Sequence, residues 1–422
     1  MEFFEHLKSY LTDEEIVLLK NSLEEESKHA VLLNPKKMSN ETFLSLYPEV
    51  IPHPIVKHAY LYNKNQYDLG KSVYHLLGCF YLQEPSAMIP AYLLDAKENE
   101  FILDMCAAPG GKSVQSSFLM NDTGLIISND LSKPRALTLL ENVERLGIGN
   151  IIVTNNDLST IYTKYLDTFN RIILDAPCSG SGMFRKDEKM IKDWSYGKVL
   201  KNQEVQKQLI TIAYEMLAPG GTMCYSTCSY SEEEDEDVII HLLNNSDAEI
   251  EKISQPSFYI NKKKPYGFHL VPFLFNGEGH YICLIKKPGK NTVKTYKSEK
   301  NSQKYGLDFL NVNRFGDTLF GLNYPFNNRG FNIIRMGVKI GEIIKDEIKF
   351  DYHYAHFAKG FTREYELSDS ELDIYLSGNV VNAPLEKGYY LLKYQGINVD
   401  IAKSDSRVIK NHFPKGLRIT KR

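Results

Sequence analysis

Long apolar runs are missing from this sequence of 422 residues. No stretch approaches the roughly 20 consecutive apolar residues that a membrane-spanning helix needs, so we expect no membrane association. Residues 1–5 lack the basic and then apolar pattern of a secretory signal. Only six cysteines occur, and their spread through the middle of a long chain argues against a disulfide scaffold. We therefore expect a protein of the reducing cytoplasm.

A strong excess of charge is also absent, because the formal net charge is only −3. The charges are nevertheless uneven along the chain. Residues 1–70 carry 7 Lys and Arg against 11 Asp and Glu, whereas residues 290–422 carry 22 against 15. A C-terminal third with this positive balance can contact phosphates. Charge alone, however, favours an ordinary mixed and solvated surface.

The two common glycine-rich nucleotide motifs are absent, since neither Gly-x-Gly-x-x-Gly nor Gly-x-x-x-x-Gly-Lys-Ser/Thr occurs. Instead, a predicted strand and a predicted helix flank the segment Cys106-Ala107-Ala108-Pro109-Gly110-Gly111-Lys112. Its adjacent glycines permit a tight turn and a close approach to a ligand. A helix beginning near Lys112 or Ser113 directs its free N–H groups at the same ligand.

Three aspartates follow the next predicted strands and complete this pattern. Asp130 can accept hydrogen bonds from both hydroxyls of a ribose, and Asp157 can meet the edge of an adenine. Asp175 ends the fourth strand. The Pro-Gly-Gly tripeptide alone would be read as a plain turn. With these aspartates at successive strand ends, the sequence predicts a nucleoside crevice.

The length predicts several domains, and the rhythm of apolar residues separates them. Residues 1–85 read as helical, with helices over 2–11 and 13–23 and a helix start at Thr12 or Asp13. From 86 to 288, short apolar runs alternate with helical stretches, which is typical of an α/β, doubly wound sheet with helices on both faces. The predicted strands cover residues 101–103, 125–128, 151–154, 171–174, 222–225 and 281–285.

The remaining third of the chain has a different pattern. Residues 289–335 are predicted to form a linker or a first C-terminal domain, and the polar stretch 286–303 in particular reads as a linker. Residues 336–422 are predicted to form a small mixed domain that ends near Arg418. Short strands with glycine turns are predicted over residues 331–336, 338–344, 347–350 and 389–394.

Two cysteines, Cys178 and Cys228, follow predicted buried strands and can act on a base. A thiolate that adds to C6 of cytosine breaks the aromaticity and places electron density on C5, which can then attack a methyl sulfonium. The residues alone do not decide which thiol attacks, because both lie at strand ends and both can ionise. Asp175, three residues from Cys178, can protonate or hydrogen-bond N3 of the ring.

The other cysteines are interpreted as structural residues rather than catalytic ones. Free cysteines are often small buried hydrophobic residues, which fits Cys79, Cys224 and Cys283. Cys224 and Cys228 form a lone pair with no second pair at ligand spacing, so the sequence predicts no zinc site there. We expect no metal to be required.

Four strings together resemble the family of RNA cytosine-5 methyltransferases that includes the Nol1/Nop2/Sun proteins and the bacterial RsmB and RsmF enzymes. They span residues 81–88, 104–112, 175–182 and 225–229. The resemblance implies a Rossmann-like class I S-adenosylmethionine-dependent methyltransferase domain at 86–288. It also implies that Cys228 is the nucleophile and that Cys178 assists release of the methylated product. Contacts with S-adenosylmethionine map to Cys106 through Lys112, Asp130, Asp157 and Asp175.

Residues 182–187 and 411–418 resemble the RsmF branch of this family, the second string matching the end of its PUA-like domain. This resemblance implies an N-terminal RNA-binding region at 1–85, a PUA-like RNA-binding domain at 336–422, and 16S rRNA of the small ribosomal subunit as substrate. One departure is visible at 232–236, where the family often has Pro-Glu-Glu-Asn-Glu and this chain has Glu-Glu-Glu-Asp-Glu. We expect Ser231 to cap a helix whose first turn holds these acids.

The resulting expectation is methylation of C5 of a cytosine in 16S rRNA through a covalent cysteine–C6 intermediate. A tRNA cytosine-5 methyltransferase would have the same catalytic motifs and would differ in its flanking domains. A non-catalytic RNA-binding factor of ribosome assembly is a third hypothesis. The presence of both cysteines and all three strand-end aspartates argues against it.

Overall fold

A computed structural model describes residues 2–185, 189–290, 307, 309, 311–328 and 330–419. The N-terminal region combines helices with a small antiparallel sheet in the order β2-β3-β1-β4. Its helices are α1 (Glu2–His6), α2 (Asp13–Leu23), α3 (Asn40–Leu46) and α4 (Val73–Leu76). Its strands are β1 (His29–Leu33), β2 (Ile51–Pro52), β3 (Ala59–Tyr62) and β4 (Phe80–Gln83).

The helical prediction for residues 1–85 is therefore wrong where β1 to β4 form, whereas the helix over 13–23 is confirmed and α3 and α4 are also helical. β1 is the central strand of this sheet and is buried from Ala30 to Leu33. A short strand that is covered on both faces reads as a continuous apolar run, which periodicity alone does not distinguish from a helix. The predicted start is correct, because Thr12 caps α2 through a reciprocal capping box with Glu15.

The middle of the chain forms the predicted doubly wound sheet. Its strands are β5 (Phe101–Asp104), β6 (Leu125–Asn129), β7 (Ile151–Thr154), β8 (Phe169–Asp175), β9 (Leu217–Thr227), β10 (Glu249–Glu251), β11 (Phe268–Leu270) and β12 (His280–Lys286). The helices here are α5 (Ile89–Leu94), α6 (Gly111–Leu119), α7 (Lys133–Leu146), α8 (Lys189–Asp193), α9 (Tyr196–Met216) and α10 (Glu236–Asn245). All six strands predicted for this region are confirmed.

Parallel pairing determines where the site lies. β5 through β9 are parallel in the order β9-β8-β5-β6-β7, and β12 adds antiparallel to β9. Apolar clusters cover both faces of this sheet, since Leu103 and Ile127 face one and Ile102 and Ile126 face the other. In open sheets of this kind, ligands bind at the carboxyl ends of the strands.

The C-terminal part contains two further sheets, ordered β13-β14-β16-β17 and β18-β20-β21-β22-β19. The strands are β13 (Asn311–Phe315), β14 (Thr318–Leu322), β15 (Ile333–Met336), β16 (Val338–Ile344), β17 (Glu347–Phe350), β18 (Glu364–Glu366), β19 (Val381–Asn382), β20 (Gly388–Tyr394), β21 (Ile397–Ser404) and β22 (Val408–Ile409). The helices are α11 (Tyr352–Phe357) and α12 (Asp369–Leu376). The strands predicted over 338–344, 347–350 and 389–394 are confirmed, whereas residues 291–303 of the expected linker lie outside the described residues.

Two connections join this part to the rest of the molecule. β15, which the sequence placed in a linker or a first C-terminal domain, pairs antiparallel with β7 and forms an edge of the central sheet. The N-terminal sheet and the C-terminal domain also share one apolar core, in which Phe43 and Phe80 belong to the same cluster as Tyr375 and Phe413. The outer modules are thus packed against each other and against the central sheet.

Among the described residues, no helix has the length and apolar character to cross a membrane.

Candidate active site

The predicted nucleoside loop lies between β5 and α6, at the carboxyl edge of the sheet. The backbone N–H of Ala107 donates to the carbonyl of Asn129 at 2.8 Å, which ties the loop to β6. Gly110 has a φ of +115°, a conformation that L side chains rarely adopt, and a Cβ there would lie 2.7 Å from Leu139. Because α6 begins at Gly111, its first N–H groups point to the same edge.

Asp130 lies beside this loop with a nearly buried side chain. Its carboxylate accepts a hydrogen bond from the N–H of Ala108 at 3.3 Å and another from the N–H of Ser132 at 2.9 Å. Asp157, in contrast, is exposed and caps a short turn by accepting from the N–H of Ser159 at 3.0 Å. The structure therefore places Asp130 against the loop and Asp157 at the surface.

Asp104, which sequence reasoning did not assign to the site, lies beneath the loop. Burial raises the pKa of this carboxyl to about 7, although Ser113 donates a hydrogen bond to it at 2.7 Å. Its second oxygen, Oδ1, is buried and has no hydrogen-bond partner among the described residues. A buried acid directly after a strand and before a glycine turn was the available signal.

Lys112 and Asp175 form an ion pair at 2.7 Å, and Lys112 is only 7% exposed. Burial by itself lowers the pKa of Lys112 and raises that of Asp175, but the opposite charge of the partner outweighs burial. The pKa of Lys112 is consequently raised and that of Asp175 lowered. Ser226 also donates to Asp175 at 2.7 Å, so this carboxylate is ionised and accepts hydrogen bonds.

The two predicted thiols meet beside this pair. β8 and β9 are parallel neighbours with Asp175 opposite Ser226, which brings the loops after both strands together. Sγ of Cys178 lies 2.8 Å from Sγ of Cys228, and both residues are partly buried. The hydrogen bond with Cys228 and, second, burial raise the pKa of Cys178 well above its usual value. Cys178 is therefore held as a thiol that can donate its proton.

A buried glutamate connects the two cysteine loops and was not anticipated. Glu234 is fully buried and accepts from the N–H of Ser179 at 2.8 Å and from the hydroxyl of Ser229 at 2.7 Å. The prediction that Ser231 caps a helix here is wrong. α10 begins at Glu236 with Asp235 as N-cap, and Oγ of Ser231 makes no hydrogen bond among the described residues. The acids fold inward because hydroxyl and amide donors from both loops face them.

His280, at the start of β12, was not assigned to the site from the sequence. Its Nε2 is 3.5 Å from the carboxylate of Asp175, and its Nδ1 is 3.0 Å from the carbonyl of Gly279. The adjoining Glu278 forms an ion pair with Arg185 at 3.0 Å, and both side chains are almost completely buried. These contacts span about a hundred positions of sequence, so no local pattern indicated them.

The structure thus brings Lys112, Asp175, Cys178 and Cys228 together, with Asp130 and the loop after β5 along the same edge. A loop with free backbone N–H groups, an ionised carboxylate and two adjacent thiols can perform covalent chemistry on a base. Cys224 is buried within β9 with its Sγ 3.9 Å from the carbonyl of Tyr225, as expected of a small core residue.

Comparison with known families gives three matches along the chain. Residues 91–286 match the model of the 16S rRNA methyltransferase RsmB/F family. Residues 1–85 match the N-terminal domain of 16S rRNA methyltransferase RsmF, and residues 362–419 match the methyltransferase RsmF PUA domain.

Individual relatives agree with these matches. A ribosomal RNA small subunit methyltransferase F from Vibrio vulnificus is 30% identical over 92% of this chain and 90% of its own length. A tRNA (cytosine(49)-C(5))-methyltransferase from Pyrococcus abyssi is 43% identical, over 57% of this chain and 81% of its own length. Among solved structures, a methyltransferase homolog protein from Pyrococcus horikoshii is 27% identical with a TM-score of 0.59, covering 67% of this chain and 93% of that one. NSun6 from the same organism, solved with SFG, shares the fold with a TM-score of 0.62 at 20% identity, covering 68% and 98%.

Proposed function

The chain belongs to the RsmB/F family of 16S rRNA methyltransferases, and on that premise we propose that it methylates C5 of a cytosine in 16S rRNA with S-adenosylmethionine as donor. The observation that carries the proposal is the pair of thiols 2.8 Å apart beside the Lys112–Asp175 ion pair. In the proposed reaction one thiol activates the ring, and the second, in contact with it, assists release of the product.

The residues at the carboxyl edge of the sheet fit the donor. The loop from Cys106 to Lys112 approaches a ligand closely with backbone N–H groups, and Asp130 offers carboxylate oxygens to a ribose. The unpartnered Oδ1 of Asp104 provides a further acceptor below the loop. When bound, S-adenosylmethionine supplies a methyl group on a positively charged sulfur. Asp157, which is exposed after β7, is proposed to contact the adenine.

Cys228 is the proposed nucleophile. Its thiolate adds to C6 of cytosine, the C5–C6 double bond opens, and its electrons make C5 nucleophilic. The ionised Asp175 accepts a hydrogen bond from the exocyclic amino group of the ring, and the Lys112 ammonium beside it is the group that can supply a proton toward N3. Of the two roles expected for Asp175, hydrogen bonding is therefore the one that its ionised state suits.

Release of the product reverses the covalent step. After C5 has accepted the methyl group, Cys178 gives its proton to the sulfur of Cys228 as the bond between C6 and that sulfur breaks, and the Cys178 thiolate so formed takes up the C5 proton, whose C–H electrons restore the C5–C6 double bond. Cys178 lies in contact with the sulfur that leaves and is proposed to assist this elimination. Because the raised pKa keeps Cys178 protonated at rest, it does not compete with Cys228 for C6.

The flanking modules favour ribosomal RNA over the tRNA alternative. The tRNA methyltransferase relative aligns with only 57% of this chain, whereas the ribosomal relative aligns with 92%. We propose that residues 1–85 and 336–422 hold RNA on either side of the target by shape and phosphate contact. The target base must be unstacked, at a cost of a few kcal/mol. A cytoplasmic location follows from a substrate in the small ribosomal subunit.

Site-resolved mapping of 5-methylcytosine in 16S rRNA tests this proposal. We expect one or more marks to disappear when the gene is deleted and to return with the wild-type gene but not with Cys228→Ala. The purified enzyme should methylate 30S particles or 16S rRNA and leave tRNA unmodified. An unchanged 16S pattern with loss of a tRNA mark would replace the ribosomal substrate by tRNA. A Cys228→Ala enzyme with full activity would exclude the proposed nucleophile.

A further inference from the structure

Three side chains that take no part in the proposed reaction form a buried polar cluster below Cys228. Asp235 and Glu236 lie at the start of α10, and His269 lies in the middle of β11. Their exposed fractions are 0%, 1% and 0%. Two carboxylates and an imidazole in the protein interior require compensation, since isolated buried charges cost several kcal/mol each.

The nearest cation does not supply this compensation. Lys264 directs its ammonium to Asp237 at 2.6 Å and to Glu232 at 3.6 Å, on the outer side of the helix. Tyr10 stacks on the ring of His269 with 5.4 Å between centroids, and Tyr281 packs against it at 4.9 Å. The phenol groups of both tyrosines donate to backbone carbonyls elsewhere. The cluster is thus enclosed by aromatic rings and has no paired lysine or arginine among the described residues.

One atom of each side chain is buried without a hydrogen-bond partner: Oδ2 of Asp235, Oε2 of Glu236 and Nδ1 of His269. Nε2 of His269 is 2.9 Å from Oε1 of Glu236, so one ring nitrogen has a carboxylate partner. Nδ1 of the same ring lies 3.9 Å from Oδ2 of Asp235. This separation is too long for a hydrogen bond and is close to that of two ligands of one small ion.

We propose that Asp235, Glu236 and His269 bind a divalent transition-metal ion, with zinc as the best match. Imidazole nitrogen and carboxylate oxygen are ligands that zinc prefers, at about 2.0–2.2 Å. The ligand atoms of the three residues lie within 4.8 Å of one another. Opposite ligands of one ion are separated by roughly 4.3 Å at most with these bond lengths, so a small contraction around the ion completes the site.

The position of the ion gives it a structural role. Oδ1 of Asp235 accepts a hydrogen bond at 2.5 Å from the hydroxyl of Thr227, the residue before Cys228. The metal joins this loop to β11, forty residues further along the chain, and so fixes the strand end that presents the nucleophile. This inference does not depend on the proposed methyl transfer, because it is measured as bound metal.

Metal analysis of the full-length protein, produced without a polyhistidine tag, tests the inference. We expect about one zinc per chain by inductively coupled plasma mass spectrometry after dialysis against zinc and then against metal-free buffer. Asp235→Asn and His269→Gln should each lose the metal. The matched control Asp237→Asn, whose carboxylate lies on the same helix but faces Lys264, should retain it. Substitution by cobalt should give the visible absorption bands of an N/O-coordinated ion in the wild type and not in His269→Gln.

Absence of bound metal in the wild-type protein would contradict the proposal. A wild-type protein that binds no zinc, manganese, iron or cobalt under these conditions, and whose thermal unfolding these ions do not change, overturns the proposal. A rise in the stability of Asp235→Asn under the same conditions would show that a proton, rather than a metal, balances the cluster. Because the decisive measurement is made on the wild type, poor folding of a variant does not affect the conclusion.

Discussion

The protonation state of Cys178 follows from its immediate surroundings. Its hydrogen bond with Cys228 and its burial both raise the pKa of Cys178. It therefore rests as a thiol in contact with the neighbouring sulfur. In the proposed reaction this arrangement separates the two roles, since one sulfur attacks while the other retains its proton until the product leaves.

Replacement of Cys178 by alanine should trap the proposed intermediate. We expect Cys178→Ala to form the bond to C6 normally but to eliminate the product about 100- to 10,000-fold more slowly, the usual cost of losing a proton-transferring group. A covalent protein–RNA species should then accumulate on denaturing gels, and in Cys178→Ala/Cys228→Ala it should be absent. A Cys178→Ala protein that turns over at the wild-type rate without this species would refute the release role.

Asp400, in the C-terminal domain, should make the stability of the protein depend on pH. Burial raises its pKa to about 7, although Tyr375 donates a hydrogen bond to it at 2.8 Å. The carboxyl group has a pKa near 3.9 in the unfolded chain, so its contribution to stability is complete below about pH 4 and is lost as the pH rises to about 7.

Between pH 5 and pH 7, we expect this group to lower the free energy of unfolding by up to about 1.4 kcal/mol for each pH unit. Asp400→Asn should remove most of that slope in thermal unfolding measured across this range. Asp346→Asn, an exposed substitution in the same part of the chain, should retain it. Identical slopes for the wild type and Asp400→Asn would show that Asp400 stays ionised.

Residues at strand ends were predictable because their positions follow from local pattern. Asp175, Cys178 and Cys228 adjoin apolar runs that read as parallel strands, and parallel strands bring their carboxyl ends to one edge. Glu234 was misread as a solvated acid of a first helical turn. Its burial depends on donors from Ser179, 55 positions away, which no local periodicity encodes.

At the level of elements, the N-terminal helices illustrate the same limit. α2 was predicted correctly, because a capping box and an amphipathic repeat are both local signals. β1 was not predicted, because its apolar run forms a strand only through pairing with β3 and β4, which lie further along the chain. Tertiary pairing, rather than intrinsic propensity, decides such segments.

The capping box should measurably stabilise α2. Thr12→Ala removes the side-chain acceptor for the N–H of Glu15, and we expect a loss of about 1 kcal/mol, expressed mainly as faster amide exchange in residues 13–23. Thr138→Ala, an exposed threonine within α7, serves as the control and should leave exchange in α2 unchanged. Equal exchange in Thr12→Ala and the wild type would mean that packing alone holds this helix.

For the whole molecule, β15 is the connection that sequence reasoning did not foresee. It completes the edge of the central sheet beside β7, and its Arg335 forms an ion pair with Glu144 of α7. Both side chains are mostly buried, with exposed fractions of 13% and 23%. A strand of four residues has too weak a local signal to show which sheet it joins.

Loss of this ion pair should loosen the connection. We expect Arg335→Ala to reduce the free energy of unfolding by about 1–3 kcal/mol, because Glu144 keeps a charge in a half-buried place. The double variant Arg335→Met/Glu144→Gln should recover most of the loss. Asp317→Asn, which removes the exposed ion pair with Arg314, should change stability by less than about 0.5 kcal/mol in the same denaturant titration. A double variant that is no more stable than Arg335→Ala would show that the charge left on Glu144 is not the cause of the loss.

β15 and the apolar core shared by the N-terminal sheet and the C-terminal domain also fix the distance between the C-terminal domain and the candidate active site. The C-terminal domain packs onto the N-terminal sheet and is connected to the central sheet through β15. Its position relative to the carboxyl edge of the central sheet is therefore fixed. In the proposed function, where residues 336–422 hold RNA, this fixed distance means that the methylated base lies at a set interval from the nucleotides bound there. Selection of the base would then depend on the folded structure of the RNA as much as on the sequence around the target.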